Sequence, residues 1–507
     1  MISFEQFAIQ RLAKCAKITT TPELENSLKA LLQSAQEGKL FCSLDTTLPE
    51  SLCAKGEIEP TPTKPLISYG NKLYLHKHWM LETMIVHKVY ELFHRPLFSF
   101  DPVRFQKALQ EEKEHLNEAQ IKAIEKGFIN MLTLFSGGPG TGKTYTAASF
   151  IRILAATQDS CRVILSAPTG KAAAHLESIL RSKAPHLTWQ SMTLHRLLKL
   201  RPNRQKLFSS QTIDADLVVV DEASMMDGYL LLHLLQAIGP NTRLLLLGDA
   251  DQLPPVEGIS FFPDIAEYLG QKLSYSVRMG EGGVRKISQA ILERKTEEIP
   301  LLSWPANVDL LKDFLCKQLF SPYHAKKPDL DSLFQELNRF RILCALRQGP
   351  FGVDSLNQQI LTYFQKQSVL PWLAIPILIS QNSIKLDLYN GTPGILLRYN
   401  GRGTAYFLCE NGLRSIEEKA LPSYELAFCL SIHKSQGSEF EEVIVIFGPG
   451  SERFGNEALY TAVTRAKKKV QICADAASFQ AAIEKNVTQR SSFLERIKRL
   501  DEEARKL

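Results

Sequence analysis

An apolar run, Met131-Leu132-Thr133-Leu134-Phe135, leads directly into Gly137 to Thr144, which reads GGPGTGKT. The order is strand, glycine-rich turn, helix, and this commits the stretch to an α/β fold. Glycines let backbone N–H groups close around the phosphates of a nucleotide. Gly137, Gly138, Pro139, Gly140, Thr141 and Gly142 form the expected cradle. Lys143 would reach the β- and γ-phosphates, and Thr144 would hold Mg²⁺. The helix beginning near Gly142 adds the positive end of its dipole.

A second apolar run, Leu217-Val218-Val219-Val220, ends in Asp221-Glu222. Continuous apolar character predicts a strand buried on both faces, as in a parallel sheet. Asp221 would hold the Mg²⁺ shell, and Glu222 would polarise an attacking water as general base. Together the two motifs imply NTP hydrolysis and leave open what the energy is used for.

At 507 residues the chain exceeds one core and implies three or four domains. No segment approaches the roughly 18 uninterrupted apolar residues of a membrane span. The start, Met1-Ile2-Ser3-Phe4-Glu5, lacks the basic and then apolar layout of a signal peptide, so a cytoplasmic location is expected. Nine cysteines without a CxxC pair imply reduced thiols and no zinc or iron–sulfur site. A net charge of +6 permits nucleic-acid binding but does not establish it.

Residues 1–105 carry no catalytic motif. Helical stretches at Glu23–Gln36 and His78–Phe93, with a Pro/Thr-rich break at Glu57–Pro65, predict a separate helical domain. Strand and helix patterns alternate over 106–297, a first doubly wound domain. A second α/β pattern occupies 298–386 and resumes over 425–507. Between them, 387–424 holds short β-type runs around Asn390-Gly391, Asn400-Gly401 and Asn411-Gly412. Asn-Gly is a strong hairpin signal, and a small β-barrel insert is expected. The tail, Arg490 to Leu507, reads as a solvated amphipathic helix.

Further motifs follow in a fixed order: Leu116-Asn117-Glu118-Ala119-Gln120, Ala167-Pro168-Thr169-Gly170-Lys171, Thr193-Leu194-His195-Arg196, and Gly248-Asp249-Ala250-Asp251-Gln252-Leu253-Pro254-Pro255. The second half carries Ser431-Ile432-His433-Lys434-Ser435-Gln436-Gly437-Ser438-Glu439 and Leu459-Tyr460-Thr461-Ala462-Val463-Thr464-Arg465-Ala466. This series resembles superfamily-one helicases. Two more segments, Leu343 to Val353 with Asn357 following, and Asn390-Gly391-Thr392-Pro393-Gly394, resemble the RecD family within them.

The resemblance implies two RecA-like P-loop motor domains, an N-terminal helical domain that docks a partner, and an SH3-like β-barrel insert. It implies that Gln120 reads adenine and that Gln252 senses the γ-phosphate. Arg278 and Arg465 would stabilise the transition state, and Gly437 and Glu439 would lie near the phosphates and ribose. Thr169, Thr193, His195 and His433 would hold DNA phosphates without reading sequence. ATP and Mg²⁺ are the implied cofactors. The implied partners are single-stranded DNA, DNA ends, and RecB and RecC chains, with nuclease activity only through that complex and 5′-to-3′ movement. A stand-alone RecD-like helicase and an ATP-binding scaffold subunit are the rival readings. The intact Lys143, Asp221, Glu222 and Arg465 oppose the scaffold.

Overall fold

The computed structural model describes the chain except residues 1–3, 18–20, 37, 45–47, 57–63, 97–99, 185–186, 201–211, 256–257, 271, 274–282, 306, 324–328, 368–371, 410–411, 486–490 and 507. It divides into two compact units. The first is Met1–Ala250, Pro254–Tyr275 and Thr488–Leu507; the second is Asp251–Leu253 and Ser276–Val487.

The first 105 residues are not all helical. Helices Phe4–Ala16, Pro22–Gln36 and His76–His94 accompany four short strands, β1 (Phe41–Ser43), β2 (Cys53–Lys55), β3 (Leu66–Tyr69) and β4 (Lys72–Leu75). These pair in the order β1-β4-β3-β2. Packing does not break at residue 105 either. Helix His76–His94 buries Trp79, Ile85, Val86, Val89 and Leu92 at helical spacing, and this stripe joins the core of the following α/β sheet.

That sheet has strands β5 (Leu132–Ser136), β6 (Val163–Ala167), β7 (Trp189–Thr193), β8 (Leu217–Val220) and β9 (Arg243–Gly248). They are parallel in the order β5-β9-β8-β6-β7. Four of the five are buried throughout, as strands covered on both faces must be. Phe135, Leu165, Val219 and Leu247 face helix Lys143–Ala156 through Phe150, Ile151 and Leu154. Leu132, Leu134, Val218 and Leu246 face helices His76–His94 and Gly228–Ala237.

The tail helix Phe493–Ala504 is not merely solvated. It buries Phe493, Arg496 and Ile497 and belongs to the first unit. Arg496 Nη1 donates to Glu82 Oε2 at 3.0 Å, and its guanidinium lies 3.9 Å from the Trp79 ring centroid. Ser492 N donates to Glu82 Oε1 at 2.6 Å, and Tyr74 Oη to Ser492 Oγ at 2.6 Å.

The second unit repeats the parallel architecture with β10 (Leu301–Leu302), β11 (Phe340–Cys344), β17 (Cys429–Ser431), β18 (Phe440–Phe447) and β19 (Ala466–Ala474), in the order β10-β19-β18-β11-β17. Between β11 and β17 lie β12 (Trp372–Ile379), β13 (Pro393–Tyr399), β14 (Arg402–Cys409), β15 (Gly412–Glu417) and β16 (Tyr424–Leu426). These form an antiparallel sheet ordered β15-β14-β13-β12-β16. The insert therefore includes β12, ahead of the expected start at 387. Among the described residues the five strands pair in that order, and no pairing joins β15 to β16.

Candidate functional site

The loop after β5 is shaped by its glycines. Gly140 and Gly142 have φ of 78° and 81°, a region that other residues enter at a cost. A Cβ on Gly137 would lie 2.6 Å from Leu273 O, and one on Gly142 would lie 2.5 Å from Gln120 Nε2. Gly142 caps helix Lys143–Ala156. Lys143 Nζ donates to the carbonyls of Gly137 at 2.6 Å and Gly138 at 3.1 Å, so the ammonium is held over the loop. Thr141 Oγ1 closes the turn onto Gly138 O at 2.8 Å. Pro139 and Thr144 are half-buried.

Gln120 braces this loop. Its Oε1 accepts from Asn117 N and its backbone N–H donates to Asn117 Oδ1, both at 3.0 Å, a reciprocal cap of helix Glu118–Phe128. Its Nε2 donates to Thr141 O at 3.4 Å. Asn117 is thus a supporting residue that the motif reading missed, although its spacing to Gln120 is the sequence signature of such a cap.

β8 delivers Asp221, only 7% exposed, to the same end of the sheet. Burial and the neighbouring Glu222 charge push its carboxyl up to about 7, against the Glu222 N–H and the Lys143 charge, which favour ionisation. Asp221 Oδ1 accepts from Glu222 N at 2.8 Å. Glu222 itself has φ of 51°, a left-handed conformation costing about 1–3 kcal/mol in a residue with a side chain. Ser136 Oγ, buried at the end of β5, has no hydrogen-bond partner among the described residues, and sequence reasoning did not single it out.

Thr169 and Thr193 come together at the C-terminal ends of β6 and β7, where Ala167 pairs with Thr193. Each caps a helix: Thr169 Oγ1 accepts from Ala172 N at 3.3 Å and Thr193 Oγ1 from Arg196 N at 3.4 Å. His195 is exposed on the short helix Leu194–Leu197.

The second unit gathers another set. Asp251–Leu253 belongs to it although β9 belongs to the first. Gln252 is buried there. Leu253 N donates to Thr461 Oγ1 at 2.7 Å, and Gln436 Nε2 donates to Leu253 O at 2.9 Å. Arg465, 3% exposed, donates from Nε to Thr461 O at 3.2 Å and from Nη1 to Ser438 O at 3.3 Å. Gly437 has φ of 69°, and Glu439 pairs with Lys467 at 3.1 Å. His433 packs edge-on to Phe454, with ring centroids 5.9 Å apart, and burial lowers its pKa, which keeps the imidazole neutral at pH 7. Asn357 locks the start of β17, accepting from Cys429 N and donating to Cys429 O and Leu426 O. Arg278 lies outside the described residues.

Among the described residues no helix is long and apolar enough to cross a membrane. Residues 120–258 match the family model of an AAA domain, and 426–473 that of a UvrD-like helicase C-terminal domain. The chain is 31% identical over 477 residues to the RecBCD enzyme subunit RecD of Mycolicibacterium smegmatis, covering 85% of this chain and 83% of that one. It is 29% identical over 400 residues to the ATP-dependent RecD2 DNA helicase of Deinococcus radiodurans, covering 76% of this chain and 53% of the relative. The crystal structure of a Pif1 helicase from Candida albicans aligns with TM-score 0.42 at 18% identity, over 76% of this chain and 99% of that one. The extent of the first match, together with the AAA-domain and UvrD-like helicase family models, places the chain in the RecD family of superfamily-one helicases, as an ATP-dependent DNA helicase.

Proposed function

We propose that this chain moves along single-stranded DNA in the 5′-to-3′ direction as the RecD subunit of a RecBCD-type helicase–nuclease, in double-strand break repair and recombination. The observation that carries the motor reading is the buried Asp221, followed by the strained Glu222, in the charge field of Lys143. ATP with Mg²⁺ supplies the phosphoryl bond whose hydrolysis drives movement. Three features fit such a group: glycines where a Cβ would clash, an ammonium over the loop, and a carboxyl that burial leaves in need of a cation. The loop Gly137 to Gly142 would cradle the phosphates, with no N–H from Pro139 and with the Gly137 N–H already donated to Gly248 O at 3.1 Å; Lys143 would neutralise their charge, and Thr144 and Asp221 would hold the metal. Glu222 takes the proton from the attacking water. Gln252, Arg278 and Arg465 answer to the γ-phosphate; Gly437 and Glu439 lie near the nucleotide.

Thr169, Thr193, His195 and His433 are the proposed DNA contacts. Hydroxyls fixed by capping and a neutral imidazole suit phosphate and sugar, which carry no sequence. Partner assembly is carried over from the RecBCD subunit relatives.

The test combines two measurements on the tagged full-length chain. Glu222→Gln is expected to retain ATP binding and lower DNA-stimulated turnover at least ~10²-fold, the usual scale for a general base. Affinity purification at native expression is expected to bring down two large partner chains. Near-parental turnover overturns the role of Glu222. A lone monomer with intact DNA-stimulated ATPase overturns the subunit reading in favour of a stand-alone helicase.

A further inference from the structure

Four hydrogen bonds among five residues of the second unit close a ring. Leu253 N–H reaches Thr461 Oγ1, and Thr461 O receives Arg465 Nε. Arg465 Nη1 reaches Ser438 O, and two residues back along the chain Gln436 Nε2 returns to Leu253 O. The ring passes through three motifs that lie far apart in sequence. Both hydrogen-bonding groups of the Leu253 backbone are held within it.

Leu253 is the residue after Gln252, so a clamp on its N–H and C=O fixes the backbone from which Gln252 projects. The same clamp meets Arg465 through the Thr461 carbonyl. Thr461 is fully buried, and Thr464 Oγ1 also donates to its carbonyl, at 3.1 Å. A buried donor such as Leu253 N–H loses its one bond among the described residues if the hydroxyl is removed, and the segment is then free to shift.

We propose that Thr461 and Gln436 are positioning residues that lock the Gln252 segment to Arg465, so that the two γ-phosphate-directed groups move as one body. The proposal rests on the nucleotide roles assigned above to Gln252 and Arg465. Neither Thr461 nor Gln436 touches the nucleotide in this scheme; each acts through the backbone of Leu253.

The test is steady-state ATPase of the full chain with and without a saturating oligothymidylate. Thr461→Val is expected to lower DNA-stimulated kcat by 10-fold or more while KM for ATP stays within about 3-fold, since the phosphate loop is untouched. Thr461→Ser, which restores the hydroxyl, is expected to recover most of the rate. Gln436→Met is expected to show the same split, and the double variant to lose little beyond the worse single one, because both act on one segment. Parental kcat in the Val variant overturns the proposal. So does a loss that Ser does not restore, or losses that simply multiply in the double variant. If the Val variant melts far below its parent, Gln436→Met decides by the same kcat and KM split. A parent chain without DNA-stimulated ATPase would instead overturn the motor reading itself, which separates the two failures.

Discussion

Two buried carboxylates of the first unit have opposite surroundings. Glu82 is 0% exposed and accepts from Ser492 N and from the Arg496 guanidinium, itself 1% exposed. Burial pushes its carboxyl up, but a full cation and several donors within the fold oppose that. Asp221 is nearly as buried, yet it faces a second carboxylate and accepts one backbone N–H. The fold surrounds the first group with a cation and donors, whereas the second has one donor, a neighbouring carboxylate and the field of Lys143. Similar desolvation thus serves structure in one place and, on the function proposed above, chemistry in the other, and the neighbours decide which.

The largest expected effect breaks the completed pair. Arg496→Met strands the Glu82 charge, and unfolding of the first unit in urea is expected to lose about 3–5 kcal/mol. Replacing both, as Glu82→Leu with Arg496→Met, is expected to recover most of that, because hydrophobic groups can fill such a site at little net cost. A loss below about 1 kcal/mol in the single variant would show that Glu82 is no better satisfied than Asp221.

Asp221→Asn is expected to act in the other direction. The carboxyl titrates at about 7 in the folded chain against an ordinary 3.8. The native state therefore holds its proton more tightly, and this contribution to stability is full below pH 4 and lost as pH rises through 7. At pH 8, in magnesium-free and nucleotide-free buffer, the Asn variant is expected to be more stable to urea unfolding than its parent, by at most about 4 kcal/mol. The gap closes as pH falls toward 4. A gap independent of pH would assign the gain to something other than the buried charge.

The smallest effect lies on the same tail helix. Lys72 Nζ meets Glu495 Oε2 at 2.6 Å, but the Glu495 side chain is 51% exposed. Glu495→Gln is expected to cost less than about 1 kcal/mol, and less still in high salt. A cost matching that of Arg496→Met would mean that burial is not what separates these pairs.

What the sequence made legible was local. GGPGTGKT after an apolar run, and Asp221-Glu222 after another, fix strand, turn and buried carboxylate within a few residues of each other. The turn between β13 and β14 was equally plain: Asn400 and Gly401 have φ of 45° and 80°, as their dipeptide predicts. What stayed hidden depends on distant partners. β1 to β4 are three or four residues long, too short to display alternation. The continuous apolar run of β12 reads equally well as motor or insert, and only its pairing with β13 and β16 decides. Arg496 looks like a solvated charge until Glu82 is placed beside it. Gln120 was legible as a motif residue, but its support of Thr141 emerges only when helix and loop are folded together.

The clasp between Arg496 and Glu82 joins residues 414 positions apart. On a ribosome adding roughly 5–20 residues per second, Glu82 emerges about 20 to 80 seconds before its cation is made. All of the second unit is synthesised in that interval. The first unit must wait with helix His76–His94 incompletely covered, its carboxylate either hydrated or protonated. Completion of a part translated early is thus set by a part translated 414 residues later, and the nascent chain is most exposed to aggregation and to chaperone capture before helix Phe493–Ala504 emerges.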